Sequence, residues 1–372
     1  MMEGLRKVWE RYRTRRRGAP PRLIAFYLPQ FHPIPENDAW WGEGFTEWTN
    51  VDRARPLFRD HQQPRIPGPM GRYDLNEPEV QREQIRLARL HGIHGFCYHY
   101  YWFNGHRLLE RPLERVLADP SLDLPFCVCW ANENWTRRWD GREDQVLIAQ
   151  EYTPEDDLAF IAALQPLLRD PRYITVGGRP LVVVYRPQLL PDARATADRW
   201  RAFARERGTP EPYLVNAHSF PDPVDPRTIG FDASVEFPPH QYPLNDAAGD
   251  VEGLDPDFAG RIYDYRACVR EAEARLARSW PYPLFPGVMP GWDNTPRRLG
   301  NATVFAHATP EAYRRWVTAA CRRAARNADP DERLVFINAW NEWGEGAYLE
   351  PDAHRGDALL RATAQGAAKA RG

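Results

Sequence analysis

The stretch LVFINAWNEWGEG, Leu334 to Gly346, runs four apolar residues straight into a polar, aromatic and acidic tail. A short apolar run of this kind suits a strand buried on both faces, as in parallel sheets covered by helices. Seven more such runs precede it: Leu23 to Leu28, Gly95 to Tyr100, Phe126 to Trp130, Leu181 to Tyr185, Tyr213 to Ala217, Ala233 to Phe237 and Leu284 to Met289. Between many of them the apolar spacing turns helical. Glu77 to His91 carries Val80, Ile85, Leu87, Ala88 and Leu90, and Pro154 to Leu168 carries Leu158, Ile161, Leu164 and Leu168. Thr153-Pro154-Glu155 and Thr309-Pro310-Glu311 each offer an N-cap hydroxyl, a proline at the first helical position and an acid in the first turn.

Eight strands alternating with helices predict an α/β fold, a (β/α)8 TIM barrel with long βα loops. The expected organisation is a basic N-terminal arm over residues 1–20 and a single catalytic barrel domain over 21–372. An open doubly wound sheet is the alternative, but no glycine-rich phosphate turn follows the first run. Two connections are long, Pro29 to Asn76 and Pro238 to about Asp257. Long loops in a barrel commonly carry function.

Composition narrows the chemistry. The 372 residues are 43% hydrophobic and 27% charged with a net charge of -2, which gives no electrostatic case for nucleic acid as a partner. Fourteen tryptophans are many, and a Trp face either fills a core or packs on a sugar ring. The five cysteines, Cys97, Cys127, Cys129, Cys268 and Cys321, are odd in number, so free thiols in a reducing compartment are expected. Cys127 and Cys129 form only a C-x-C without the second pair that zinc needs. The N-terminus is basic but has no apolar signal core, and no stretch is long enough to span a membrane, so a cytoplasmic location is expected. The run Arg11 to Arg17 suits a solvated arm, with peripheral contact to an anionic membrane surface as the other reading.

Reactive groups of a barrel belong at the C-terminal ends of its strands. The exits here offer His32; His99, Tyr100 and Trp102; Asn132, Glu133 and Trp135; Asn216 and His218; Glu236; Trp292; and finally Asn341, Glu342 and Glu345. Trp40, Trp41 and Trp48 stand in the first long connection. Hydroxyl-rich ligands need such donors, acceptors and flat aromatic faces, so an oligosaccharide or polysaccharide is the expected partner, with no metal and no cofactor. Zinc-helix, nucleophile-elbow and Walker motifs are missing from the sequence, and Asp255-Pro256-Asp257 and Asp329-Pro330-Asp331 read as polar turns rather than metal-diphosphate sites.

Cleaving a glycosidic bond takes a proton donor and a second carboxylate acting as base or nucleophile. Glu342 and Glu345 can supply both. Gly344 would let the backbone turn between them, and Trp340 and Trp343 would strip water from the acids. Glu133 and Glu236 are rivals, because a barrel can place its two carboxylates on different strands.

Four segments resemble the WbsX-like, glycoside hydrolase family 99-like group: AFYLPQFHPIPENDAWWGEGFTEWTNV (Ala25 to Val51), HYYWFNGHRLLERPL (His99 to Leu113), CWANENWTRRWDG (Cys129 to Gly141) and NAWNEWGEGAYLEPD (Asn338 to Asp352). Proteins of that group often carry the label of glycosyltransferase or lipopolysaccharide biosynthesis protein, and they resemble endo-α-mannosidases. The resemblance implies a (β/α)8 barrel and a retaining mechanism in which a base deprotonates the sugar's 2-hydroxyl, closing a 1,2-anhydro sugar. Carried onto this sequence, Glu342 is the base and Glu345 the acid/base. Two other functions compete. A glycosyltransferase of polysaccharide biosynthesis would need a diphosphate site, for which Arg137, Arg138 and Arg186 are available; a non-catalytic glycan-binding protein would need no acid pair.

Overall fold

A computed structural model describes residues 19–137, 142–219, 223–239 and 241–370. Nearly all of the basic arm, including Arg11 to Arg17, lies outside the described residues, as does Arg138. Every apolar run is a strand. They are β1 (Arg22–Tyr27), β2 (Gly95–Phe103), β3 (Phe126–Trp130), β4 (Arg179–Val184), β5 (Tyr213–His218), β6 (Ala233–Glu236), β7 in two pieces (Leu284–Phe285 and Gly287–Val288) and β8 (Leu334–Ile337).

The strands pair in parallel in sequence order, and β8 returns to β1 with Arg22 opposite Leu334 and Ala25 opposite Ile337. This is a barrel, not an open sheet. Closure runs through β7. Its first piece pairs with β6 and its second with β8. Pro286 separates the two; it has no N–H to continue a ladder, and its carbonyl accepts from Phe336 N at 2.9 Å. At Gly287 a Cβ would lie 2.0 Å from the Glu236 carbonyl oxygen, so only glycine lets β6 and β7 come this close.

Among the described residues, seven helices of eight residues or more flank the strands: Pro78–Leu90, Arg111–Ala118, Pro154–Leu168, Ala193–Glu206, Tyr265–Leu276, Pro310–Ala325 and Ala358–Lys369. Only a short 3₁₀ turn, Pro226–Ile229, is described between β5 and β6, so the strict eightfold alternation is interrupted there. The two expected N-caps form, with Thr153 accepting from Asp156 N and Thr309 from Ala312 N. Much of the tryptophan content is core. Trp130 stacks on Phe160 at 4.4 Å, and Phe160 stacks on Trp200 at 5.1 Å, filling the space between sheet and helices. All five cysteines are buried free thiols. Among the described residues no helix is long and apolar enough to cross a membrane.

Candidate active site

A cavity of about 570 Å³ opens at the C-terminal mouth of the barrel. Its walls carry Trp41, Tyr101, Trp135, Tyr185, Phe237 and Trp292, and its polar lining includes Gln30, His99, Glu133, Arg186, Asn294, Arg297, Arg298, Asn338, Glu342 and Glu345. Seven expected site residues therefore meet here: Trp41, His99, Glu133, Trp135, Trp292, Glu342 and Glu345.

The acid pair is set by local backbone. Asn341 and Glu342 pair antiparallel with Ala347 and Tyr348, and the 3₁₀ turn Trp343–Glu345 joins them. Residues three apart eclipse in such a turn, so both carboxylates face the same way. Asn341 fixes the turn to the barrel: its side chain accepts from Leu28 N at 2.8 Å and donates to Leu28 O at 2.9 Å.

Arg297 faces the pair. One guanidinium nitrogen donates to Glu342 Oε2 at 3.0 Å, a second lies 2.7 Å from Glu345 Oε1, and the third donates to Glu47 Oε1 at 2.7 Å. Glu342 is the deeper of the two acids, with its side chain 8% exposed against 22% for Glu345. Burial pushes the Glu342 carboxyl up to about 8; Arg297 opposes this, and the Glu345 and Glu47 carboxylates add to it. Burial likewise raises Glu47. His99 stands 3.9 Å from Glu342 Oε1, too far for a hydrogen bond, and burial with the nearby Arg297 charge lowers it to about 4. It is therefore neutral at physiological pH, with its ring at the cavity wall.

Two expectations about the motif change. Gly344 does not have the left-handed backbone; that belongs to Gly346, at φ 61°. Gly344 is glycine because a Cβ would sit 1.8 Å from Glu47 Oε1. Trp340 and Trp343 do not wall the acid pair either. Their indole N–H groups donate to Glu350, at 3.0 and 2.7 Å, where Gln84 and Tyr73 also donate. Burial raises Glu350 to about 7 while those four bonds pull it down.

Other expected site residues lie outside the cavity lining, some of them because a strand alternates faces. Along β2, His99 and Tyr101 point in, whereas Tyr100 and Trp102 point out against Phe160, and Trp102 donates to Asp156 at 2.8 Å. Glu236 points out to Arg275 at 2.6 Å and is no rival for the acid pair. Asn132 ties β3 to β4 by bonding the N–H and C=O of Arg186, and Asn341 does the same for β8 and β1. Asn216 accepts from Ser234, and His218 packs by Trp280 and Tyr282, its pKa lowered by burial to about 4. Trp48 donates to Tyr73 O and packs on Phe31; His32 is wholly buried; Trp40 sits edge-on to Trp135, behind the wall. Glu133 reaches the cavity, paired with Arg186 at 2.6 Å.

Sequence reasoning missed Glu47, Arg297, Gln30 and Tyr101 as site residues. Glu47 stood in the quoted segment GFTEWTN, and Tyr101 follows from alternation once His99 points in; Arg297 had no comparable signal. The two Asp-Pro-Asp segments are turns, with Asp255 and Asp329 each accepting from the N–H two residues on. Among the described residues no group of three or more His, Cys, Asp or Glu side chains is placed to hold a metal.

Fold and site together define a parallel α/β barrel with an acid pair at the end of its eighth strand. The chain belongs to the WbsX glycosyltransferase family, whose profile matches residues 23–363. It is 53% identical over 351 residues to the uncharacterized protein WxcX of Xanthomonas campestris pv. campestris, in each of two strains. That match covers 94% of this chain and 50% of WxcX, so the chain spans about half the length of the curated relatives it matches. A solved glycoside hydrolase-like protein superposes with a TM-score of 0.60 at 16% identity, covering 93% of this chain and 94% of its own. The GH99 endo-α-mannosidase from Bacteroides thetaiotaomicron superposes with a TM-score of 0.54 at 16% identity, covering 92% and 95%. Likeness at such identity establishes the shared barrel fold.

Proposed function

We propose that the protein cleaves a glycosidic bond with retention, in a bacterial polysaccharide or its precursor, through a 1,2-anhydro sugar. One observation carries this: Glu342 and Glu345 stand on a single turn, one shielded and one open, beside a cavity with six aromatic walls. In the forward step Glu342 takes the proton of the 2-hydroxyl, O2 closes on C1, the C1–O bond to the leaving group breaks, and Glu345 protonates the departing oxygen. Water then opens the strained ring, giving its proton to Glu345 while O2 regains one from Glu342.

Such a cycle needs one proton on the pair. The raised Glu342 keeps one at neutral pH, and the proton belongs to the coupled pair rather than to one residue. In the free protein burial favours Glu342 as its holder. Sugar hydroxyls donating into the cavity favour the ionised form of that carboxylate and so the tautomer with the proton on Glu345. Aromatic faces at Trp41, Trp135 and Trp292 suit the apolar faces of sugar rings.

Incubation with a panel of α-linked oligosaccharides and purified bacterial polysaccharides, read by mass spectrometry, tests the reading. Wild type should release fragments, and Glu342→Gln and Glu345→Gln should each lose about 10²-fold or more in rate. Full activity in both variants would refute it. A second reading, transfer from an activated sugar, is favoured by Arg186 and Arg298 lining the same cavity and by the family's name. Tight calorimetric binding of a nucleotide sugar would put it first.

A further inference from the structure

Glu47 and Arg297 reach the acid pair from outside the barrel strands, Glu47 at the start of the helix Glu47–Arg53 and Arg297 from the short helix Thr295–Arg298 after β7. We propose that they are positioning residues that set how many protons the Glu342/Glu345 pair holds. The guanidinium fixes both carboxylates on one side of the cavity, and Glu47 takes up part of its charge. This rests on reading that pair as the acid and the base.

The geometry is unusual for arginine. A guanidinium commonly grips one carboxylate with two parallel bonds. Here each of its three nitrogens engages a different carboxylate, at 2.7, 3.0 and 2.7 Å, and the Arg297 side chain is only 15% exposed. Glu47 is wholly buried and does not line the cavity; its second oxygen has Asn50 Nδ2 at 3.5 Å. The missing side chain of Gly344 makes the space that Glu47 Oε1 occupies. The sequence thus holds open a place for a third carboxylate that substrate does not reach.

Charge counting gives that carboxylate a task. His99, 3.9 Å from Glu342 and lowered to about 4 by burial, and the Tyr101 and Tyr185 phenols, raised by burial, face the pair uncharged. Three ionised carboxylates against one guanidinium therefore leave a surplus of two negative charges in a site shielded from water, where such interactions are strong. Retaining a proton relieves part of it. With Glu47 neutral, Arg297 would serve two carboxylates, the surplus would shrink and the pair would give up its proton at lower pH. Without Arg297 the surplus would grow, both acids would hold protons, and the pair would have no base. Opposite displacements from the two residues are the signature of charge balance, which a purely structural contact would not produce.

The test is infrared difference titration of the full chain, following the protonated-carboxyl band from acid to alkaline pH, with no sugar needed. Wild type should show a carboxyl losing its proton near pH 8, above the Glu350 carboxyl at about 7, and only the former should be absent in Glu342→Gln, whose spectrum isolates it by subtraction. Glu47→Gln should lower that midpoint, and Arg297→Met should raise it, each by about one pH unit or more. Circular dichroism checks folding. If Glu47→Gln does not fold, Arg297→Lys, whose single ammonium cannot reach three carboxylates, should still raise the midpoint. An unmoved midpoint in folded Glu47→Gln or, failing that variant, in Arg297→Lys overturns the proposal, as does a wild type without the titrating carboxyl. Failure of the proposed function looks different: the titration and its shifts persist while Glu342→Gln keeps full turnover.

Discussion

Gly344→Ala should act as a wedge driven into the ion cluster. The glycine has an ordinary backbone conformation, so alanine adds no conformational strain, and the whole effect comes from one methyl group. That methyl would lie 1.8 Å from Glu47 Oε1, 2.9 Å from its Cδ and 3.0 Å from Arg297 Nε. Ordinary contact at 3.4 Å requires the carboxylate oxygen to withdraw by roughly 1.6 Å, which breaks its 2.7 Å bond to Arg297. Losing a charged hydrogen bond inside a buried cluster costs about 2–4 kcal/mol. At about 2.1 cal/mol/K of unfolding entropy per residue, that is a fall in Tm of about 3–5 °C for a chain of this length. Thermal unfolding followed by circular dichroism reads it. The control is a double-mutant cycle with Glu47→Ala, which removes the obstructing carboxylate. In that background Gly344→Ala should cost less than about 0.5 kcal/mol, giving a coupling of about 2 kcal/mol. If the two substitutions simply add, Gly344 is not making room for Glu47 and the reasoning is wrong.

Glu350→Gln should destabilise by about 2–3 kcal/mol, because a carboxylate accepting four donors is replaced by an amide that turns an NH₂ toward two of them; urea unfolding measures this. Of two aromatic substitutions, Trp135→Ala at the cavity wall should weaken calorimetric binding of an oligosaccharide substrate tenfold or more. Trp102→Phe, behind the wall, should leave binding unchanged and lower Tm. Stability should also depend on pH through Glu342. Its folded pKa of about 8 exceeds the unfolded value of about 4.3. The folded chain therefore binds the extra proton between those limits, and this stabilisation is complete below the lower value and lost as pH rises through the upper. Glu342→Gln should flatten that part of a Tm-versus-pH profile.

Much of the fold was legible because a parallel barrel strand is an uninterrupted apolar run, and all eight runs were found. Leu284 to Met289 reads as one strand, yet Pro286 divides it; which neighbour each half bonds is decided by barrel closure and not by local sequence. The site was legible less evenly. Glu342 and Glu345 sit on a local turn, so their spacing alone brought them together. The strand exits supplied the right segments and the wrong faces: His99 and Tyr101 point in, Tyr100 and Trp102 point out, and nothing in a run that is apolar on both sides marks which parity faces the mouth. Asn132 and Asn341 looked like sugar ligands, but an amide at a strand exit serves equally well to bond the neighbouring strand's backbone, and both do so. Arg297 was illegible because it reaches the acids from a short helix 45 residues away from Glu342 in sequence.

Hydrolase-like fold neighbours and a transferase family name do not demand different machinery in this site. In the proposed cycle the bond to the leaving group breaks before the acceptor takes part. Glu345 then needs only an O–H from which to take a proton as it attacks C1. Water and a sugar hydroxyl both provide one, so the acid pair alone is neutral between hydrolysis and transfer to another glycan. The choice falls to whatever the aromatic walls hold beside the anhydro sugar. If Trp41, Trp135 and Trp292 bind an acceptor ring tightly enough to exclude water, the same two glutamates form a new linkage instead of a reducing end. A donor activated as a nucleotide sugar is the separate case, because its leaving group is already a good one and gains little from a protonated Glu345. What divides the readings is therefore the leaving group and the acceptor, and the acid pair is compatible with either acceptor.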